Sequence, residues 1–374
     1  MKIVHIITGL EDGGAENILY KICKHDKINS HVVISIVSKG KYYSILKKIG
    51  IEVYCLKMKF YSILKFFYLI KLLTNLKPDI VQTWLVHGDF IGGFAAKLAG
   101  IKNIVWTIVY SKLDPTIEKL RNILLIRALA KLSYIIPRSI IVVSKSAKKN
   151  CQNLRYNQKR LKLINSGFDL SLFKINKNLK LNFKRKIKIN YQTPVIGIVA
   201  RYHPIKDHKN LLNALSIISL KNKNFLCVLV GKGMNKKNKI LLNEIKKLKL
   251  ANYTKLLGPK NNISQIMNGI DIKVLCSKSE GFPSVVVEAM ACGTPCVVTN
   301  VGDSALIVDK TGWIVPPQNP TKLANVIEKA LSEIGKKNWN KRCYQARLRV
   351  KNHFTIKKMI KSYCMIWSKL YKTH

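Results

Sequence analysis

At 374 residues the chain is long for a single hydrophobic core, so two domains are expected. Its 48% hydrophobic content with few prolines excludes a disordered or repetitive chain, and nine scattered cysteines without a Cys-x-x-Cys pair exclude a disulfide framework and fit a reducing cytosol. The 66 Lys and Arg residues against 19 Asp and Glu leave a formal charge of +47, which calls for something anionic as partner.

Three readings of that charge compete. Lysines can simply solvate the surface, an anionic membrane can attract them, or nucleic acid can. The last has least behind it, because no RNP-like strand, zinc-finger spacing or basic-zipper repeat accompanies the charge; no specific nucleic acid is expected.

In chain order, MKIVHIITGL begins as a buried strand at Ile3–Ile7 and runs directly into Glu11 and Asp12, unlike the apolar core and cleavage site of a signal peptide. Further apolar runs at Val32–Val37, Val53–Leu56, Ile80–Thr83, Ile104–Ile108 and Ile140–Val143 predict strands separated by helix-length stretches. Runs apolar on both faces predict a parallel sheet covered on both sides. The second half repeats the pattern at Val195–Ala200, Phe225–Gly231, Thr254–Leu257, Ile272–Leu275, Pro295–Thr299 and Gly312–Val315. The fold class expected is therefore α/β, with two Rossmann-like units in tandem.

Between them, Ser171–Gln192 is rich in lysine, lacks acids and shows no clear period, so it is read as the linker. The domains are placed at 1–180, together with a C-terminal helix at 355–374, and at 190–354. That last segment carries Met359, Ile360, Tyr363, Ile366, Trp367 and Leu370 at helical spacing. The apolar segments Phe60–Leu73 and Ile123–Ile136 are broken by lysine or arginine before the roughly 20 residues a membrane span needs. Lys57–Lys77 instead places Phe60, Ile63, Leu64 and Phe67 on one helical face near Lys65 and Lys71. Such a helix either lies on an anionic bilayer or packs on its own sheet.

Ligands of open α/β sheets bind at the carboxyl ends of the strands, so residues just after strands carry the chemistry. The densest constellation is Glu280-Gly281-Phe282-Pro283-Ser284, leading into a helix with Glu288 one turn in and Gly293 at its end. Ser284 is a candidate N-cap, and the amides around Gly281–Val285 form an anion site if the helix starts there. Glu288 then accepts hydrogen bonds from a ribose diol while Glu280 reaches another part of the same ligand. A surface glutamate on an ordinary helix is the plain alternative. Cys292 and Cys296, with Pro295 between them, read as buried small residues and not as a metal site.

The block Glu280 to Glu288, with seven residues between the glutamates and the run Glu288-Ala289-Met290-Ala291-x-Gly293-x-Pro295, resembles the signature of the retaining glycosyltransferases of family four. Other positions agree in order: Gly13-Gly14 after the first strand, Val199-Ala200-Arg201 with Lys206-Asp207, Gly231-Lys232-Gly233, Leu257-Gly258 and Thr299-Asn300-Val301-Gly302. The resemblance implies a GT-B fold, two facing Rossmann-like domains whose final helix crosses back to the N-terminal one. It implies a nucleotide-diphosphate sugar, of the UDP or GDP type, as donor. It also implies retention of configuration and a hydroxyl of a glycan acceptor, plausibly lipid-linked, in cell-surface polysaccharide synthesis.

On this reading Arg201, Lys206 and Glu280 are catalytic, and Arg201 and Lys206 stabilise the departing diphosphate, so that neither cofactor nor metal is required. No Asp-x-Asp metal clamp occurs in the chain. Glu288, Gly281, Phe282, Pro283, Ser284, Gly231 and Gly258 are assigned to the donor, and Gly13 and Gly14 to a phosphate or acceptor loop. The acceptor side departs from the family: Val109-Tyr110-Ser111 stands where a histidine is common, leaving His87, with Asp89, as the substitute catalytic candidate. Ser166-Gly167-Phe168-Asp169 resembles an Asn-Gly-x-Asp turn at the entry to the linker. The expected setting is the inner face of the cytoplasmic membrane. Rival readings are a nucleotide-sugar epimerase of the same fold, a basic nucleic-acid-binding protein, and a membrane-adsorbed scaffold without catalysis.

Overall fold

The computed structural model describes residues 1–58, 62–109 and 120–372. The chain divides into two compact units, Met1–Gly167 with Ile356–His374, and Phe168–Thr355. The strands, in chain order, are β1 Lys2–Gly9, β2 Ser30–Ser38, β3 Glu52–Cys55, β4 Ile80–Trp84, β5 Ile104–Ile108, β6 Ser139–Val142 and β7 Leu161–Leu163 in the first unit. The second unit holds β8 Val195–Val199, β9 Leu226–Val230, β10 Thr254–Gly258, β11 Ile272–Leu275, β12 Cys296–Thr299 and β13 Trp313–Val315. All twelve strands expected from the apolar runs are present. The short β7 was not expected, because its sequence Leu-Lys-Leu is too brief to read as a run.

The first sheet has the order β3-β2-β1-β4-β5-β6-β7 and the second β10-β9-β8-β11-β12-β13, and all pairings are parallel. Each sheet is apolar on both faces, with Val4, Ile6 and Trp106 in one core of the first unit and Ile3, Ile7 and Trp84 in the other. Strand order reverses between β1 and β4 in the first sheet and between β8 and β11 in the second. Those reversals are the crevices where such sheets hold ligands.

The final helix, Ile356–Lys372, belongs to the first unit. It buries Ile356, Met359, Tyr363 and Trp367, and the Trp367 indole N–H donates to Gln82 Oε1 at 2.7 Å. Gln82 in turn donates to Thr107 Oγ1 at 2.8 Å, so a polar chain threads the apolar core with its hydrogen bonds made.

The stretch Ser171–Gln192, expected as a linker, instead carries the helix Lys177–Lys186, capped by the Asn176 side chain on Leu179 N. Lys180 and Lys184 of this helix lie 2.6 and 3.3 Å from the Asp271 carboxylate, whose other oxygen work includes accepting from Val195 N at 2.8 Å. Those lysines are buried or half-buried partners of one acid, which is why the helix shows so little apolar period in sequence. Among the described residues, no helix is long and apolar enough to cross a membrane.

Candidate functional site

The carboxyl ends of five strands in the second unit are tied into one surface by backbone contacts. Gly231, after β9, has φ +140, and a Cβ there would strike the carbonyl of Ala200, so only glycine lets these two loops touch. Tyr202 N donates to Lys232 O at 2.8 Å, Gly231 N to Gly258 O at 2.9 Å, and Lys278 N to Ile205 O at 2.8 Å. Gly302, φ +55, would likewise drive a Cβ into the carbonyls of Glu280 and Gly281, and Asp303 N donates to Gly281 O at 2.9 Å. The loop bearing Glu280 is thus clamped between those following β8 and β12.

At the β8/β11 reversal, Lys206 Nζ meets Glu280 Oε1 at 2.6 Å, and Ser277 Oγ donates to the same oxygen at 2.6 Å. Lys206 closes a 3-10 turn, Pro204–Lys206, which is capped by His203 Nδ1 accepting from Ile205 N at 3.3 Å. Both charged side chains stay partly accessible, at 23% for Lys206 and 11% for Glu280. A pair in this intermediate setting fixes two side chains for a ligand without removing either from reach.

Behind the pair stands a polar wall that the motifs did not disclose. His208 is buried beside Tyr202, with ring centroids 5.3 Å apart, and burial together with the nearby Lys273 and Lys206 charges lowers its imidazole to about 4. Its Nε2 and both amide atoms of Asn210 have no protein hydrogen-bond partner. Lys273, fully buried in β11, donates to Val274 O at 2.7 Å, and burial brings its ammonium down to about 8. The Cys276 and Cys296 thiols, Lys206 and Glu280 all act on that charge. A lysine inside an otherwise apolar strand, and a serine three residues before Glu280, were the available signals.

The remaining expected residues fall as follows. Arg201 follows β8 and is exposed, and its backbone N lies 3.2 Å from the point where a Gly231 Cβ would sit. Glu288 lies in the second turn of the helix Ser284–Ala291 and is half-buried. Gly258, φ +67, faces open space, whereas the Phe282 ring packs against Phe168 and Phe354 at centroid distances of 6.3 and 5.7 Å. Phe282 therefore anchors the loop through its ring. Ser284 was expected as N-cap. Buried Pro283 takes the cap position, no side-chain cap forms, and Ser284 is the first, exposed helical residue. The proline side chain leaves the first amides of that helix without a cap of its own.

In the first unit Gly13 caps the helix Gly14–His25, and the space a Cβ would need is filled by the Glu16 carboxylate; Gly14 faces open space. His87 ends a short helix after β4 and lines an apolar groove with Phe66, Phe90, Phe94 and Arg121. Burial, then the Arg121 charge, lowers its imidazole below the usual value. Asp89, the accompanying candidate, is buried beneath the strand ends, where Thr83 Oγ1 donates to it at 2.5 Å. Burial raises its carboxyl well above the usual range. Of the acceptor-side sequence, Val109 ends the described stretch, and Tyr110 and Ser111 lie outside the described residues, as does Phe60.

Two all-parallel Rossmann-like units, with the last helix returned to the first unit, define the GT-B architecture. Solved structures share it. Anabaena HepE, solved with UDP, superposes with a TM-score of 0.88 at 22% identity over 99% of this chain and 100% of that one. A glycosyltransferase from Rickettsia africae gives 0.84 at 21% identity over 100% and 99%. Residues 12–172 match the family described as Glycosyltransferase Family 4, and residues 180–346 match Glycosyl transferases group 1. The chain belongs to this family of GT-B glycosyltransferases. Among its relatives, the Escherichia coli UDP-Gal:alpha-D-GlcNAc-diphosphoundecaprenol alpha-1,3-galactosyltransferase is 27% identical over 78% of this chain and 76% of its own length. The Campylobacter jejuni N,N'-diacetylbacillosaminyl-diphospho-undecaprenol alpha-1,3-N-acetylgalactosaminyltransferase is 29% identical over 75% and 76%.

Proposed function

We propose that the chain transfers a sugar from a UDP-sugar to a hydroxyl of a diphospholipid-linked glycan, with retention of anomeric configuration, in the synthesis of a cell-surface polysaccharide. The observation that carries this reading is the Lys206–Glu280 pair, 2.6 Å apart at the β8/β11 reversal. UDP is preferred over GDP because HepE was solved with UDP and with UDP-glucose, and the E. coli relative takes UDP-Gal. The lipid-linked acceptor follows the printed names of the same relatives. Retention rests on the family resemblance of the Glu280–Glu288 block.

The diphosphate gains negative charge as the glycosidic bond breaks. Lys206 and Arg201 bear the compensating charge, together with the first amides of the helix Ser284–Ala291, in place of a metal ion. Glu280 orders Lys206 and holds the transferred sugar. Glu288 accepts from the ribose diol, and Gly258 and Gly231 let backbone approach the nucleotide. Gly13 and Gly14 border the acceptor side.

A peripheral position on the inner membrane face fits the helix Ile63–Leu76. It buries Leu69, Leu72 and Leu73 yet exposes Ile63, Leu64, Phe67 and Tyr68, in a chain of charge +47. The buried leucines pack the helix on its own domain, and the exposed face supports the bilayer reading. Co-sedimentation with anionic vesicles that weakens as salt rises is the expected outcome, and salt-independent or absent binding counts against the membrane position.

A panel of UDP- and GDP-sugars in a thermal-shift assay tests the donor reading. One UDP-sugar should raise the Tm of the wild type, and Glu288→Ala should remove most of that shift. Equal shifts in both proteins, or none from any nucleotide sugar, would contradict it.

A further inference from the structure

The first unit carries a groove for which the donor chemistry has no use. Its walls are the helix Ile63–Leu76, the segment from His87 to Leu98, and the helix Leu120–Leu132. The volume is about 700 Å³, within the range of small-molecule pockets. Phe66, Phe90, Ile91, Phe94 and Leu125 form its half-buried lining, and Phe90 and Phe94 meet edge to face at 5.1 Å. Polar lining groups are few: Ser62, His87 and Arg121. A groove that is almost wholly hydrocarbon and carries a guanidinium and an imidazole suits a ligand with an apolar tail and an anionic head.

Its rim continues into exposed apolar surface. Ile63 is 67% exposed, Leu98 64%, Leu120 71% and Leu124 55%, and all four sit on the three walls. A chain partitioned in a bilayer would enter along this surface without crossing water. The burial of His87 holds its ring toward the neutral form, so at neutral pH Arg121 supplies the fixed positive charge and His87 a hydrogen bond.

We infer that this groove binds the isoprenyl units next to the diphosphate of the lipid-linked acceptor, with Arg121 and His87 on the diphosphate. The inference rests on the proposed acceptor class and assigns that acceptor a site within the first unit. A phospholipid acyl chain offers the same kind of tail with a different head, so the test has to separate the two.

Calorimetric titration of the full chain with farnesyl diphosphate, inorganic diphosphate and dihexanoyl phosphatidylglycerol provides that separation. Farnesyl diphosphate should bind at least about tenfold tighter than either of the others. Ile63→Asp and Leu98→Asp, at exposed rim positions that tolerate charge, should abolish the advantage over inorganic diphosphate, and Arg121→Ala should weaken both diphosphates. Equal affinity for farnesyl and inorganic diphosphate would overturn the inference. So would phosphatidylglycerol binding as tightly as farnesyl diphosphate, or an advantage that survives both aspartates. Because no turnover is read, a protein that binds its UDP-sugar but not the farnesyl chain defeats the groove alone. One that binds the chain but no nucleotide sugar defeats the donor reading alone.

Discussion

Lys273 occupies the middle of the second sheet, where its ammonium is shut off from the surface and donates to the Val274 carbonyl. Burial lowers it from the ordinary 10.5 to about 8. Below pH 8 the folded and unfolded chains both carry the proton, and the cost of the buried charge is felt in full. Between about 8 and 10.5 the folded chain has released the proton while the unfolded chain keeps it, so stability rises with pH across that window. At about 1.4 kcal/mol per unit, the shift corresponds to roughly 3 kcal/mol. Lys273→Met is therefore expected to be more stable than wild type by about 2–3 kcal/mol at pH 7, with the gap closing toward pH 10.5. Urea unfolding at both pH values checks this; a gap that does not change with pH would show that the charge is not the cause.

Among the elements, the returning helix Ile356–Lys372 does more for the first unit than its length suggests. Trp367 is fully buried, stands 6.2 Å from His5 and 5.9 Å from His31 between ring centroids, and satisfies Gln82. Trp367→Ala should cost about 3–5 kcal/mol, because it opens a cavity and leaves the Gln82 oxygen without its donor. If the units melt separately, only the transition of the first should move in calorimetry; an unshifted first transition would refute the packing argument. This helix was legible in sequence because its apolar period is intact. The helix Lys177–Lys186 was not, because lysines that pair with Asp271 look in sequence like solvated ones. The Ser284 cap was misread because residue type alone favours serine over proline at that position, whereas the helix starts one residue earlier than a serine cap requires.

At the scale of the whole molecule, the two parallel sheets were written in the spacing of apolar runs, and the family resemblance put Lys206 and Glu280 at one donor site without foreseeing that they pair. Strand order, and with it the reversal that brings residues 206 and 280 together across 74 positions, depends on pairings that no local pattern encodes. The same holds for the groove, whose walls come from three separated segments. The central claim is that the Lys206–Glu280 pair grips the donor, and calorimetric titration of the stabilising UDP-sugar tests it most directly. Lys206→Ala and Glu280→Gln should each raise Kd by at least about tenfold, and the double variant should lose less than the product of the two, since the residues act through one contact. Folded variants that bind the donor as tightly as the wild type would contradict the account.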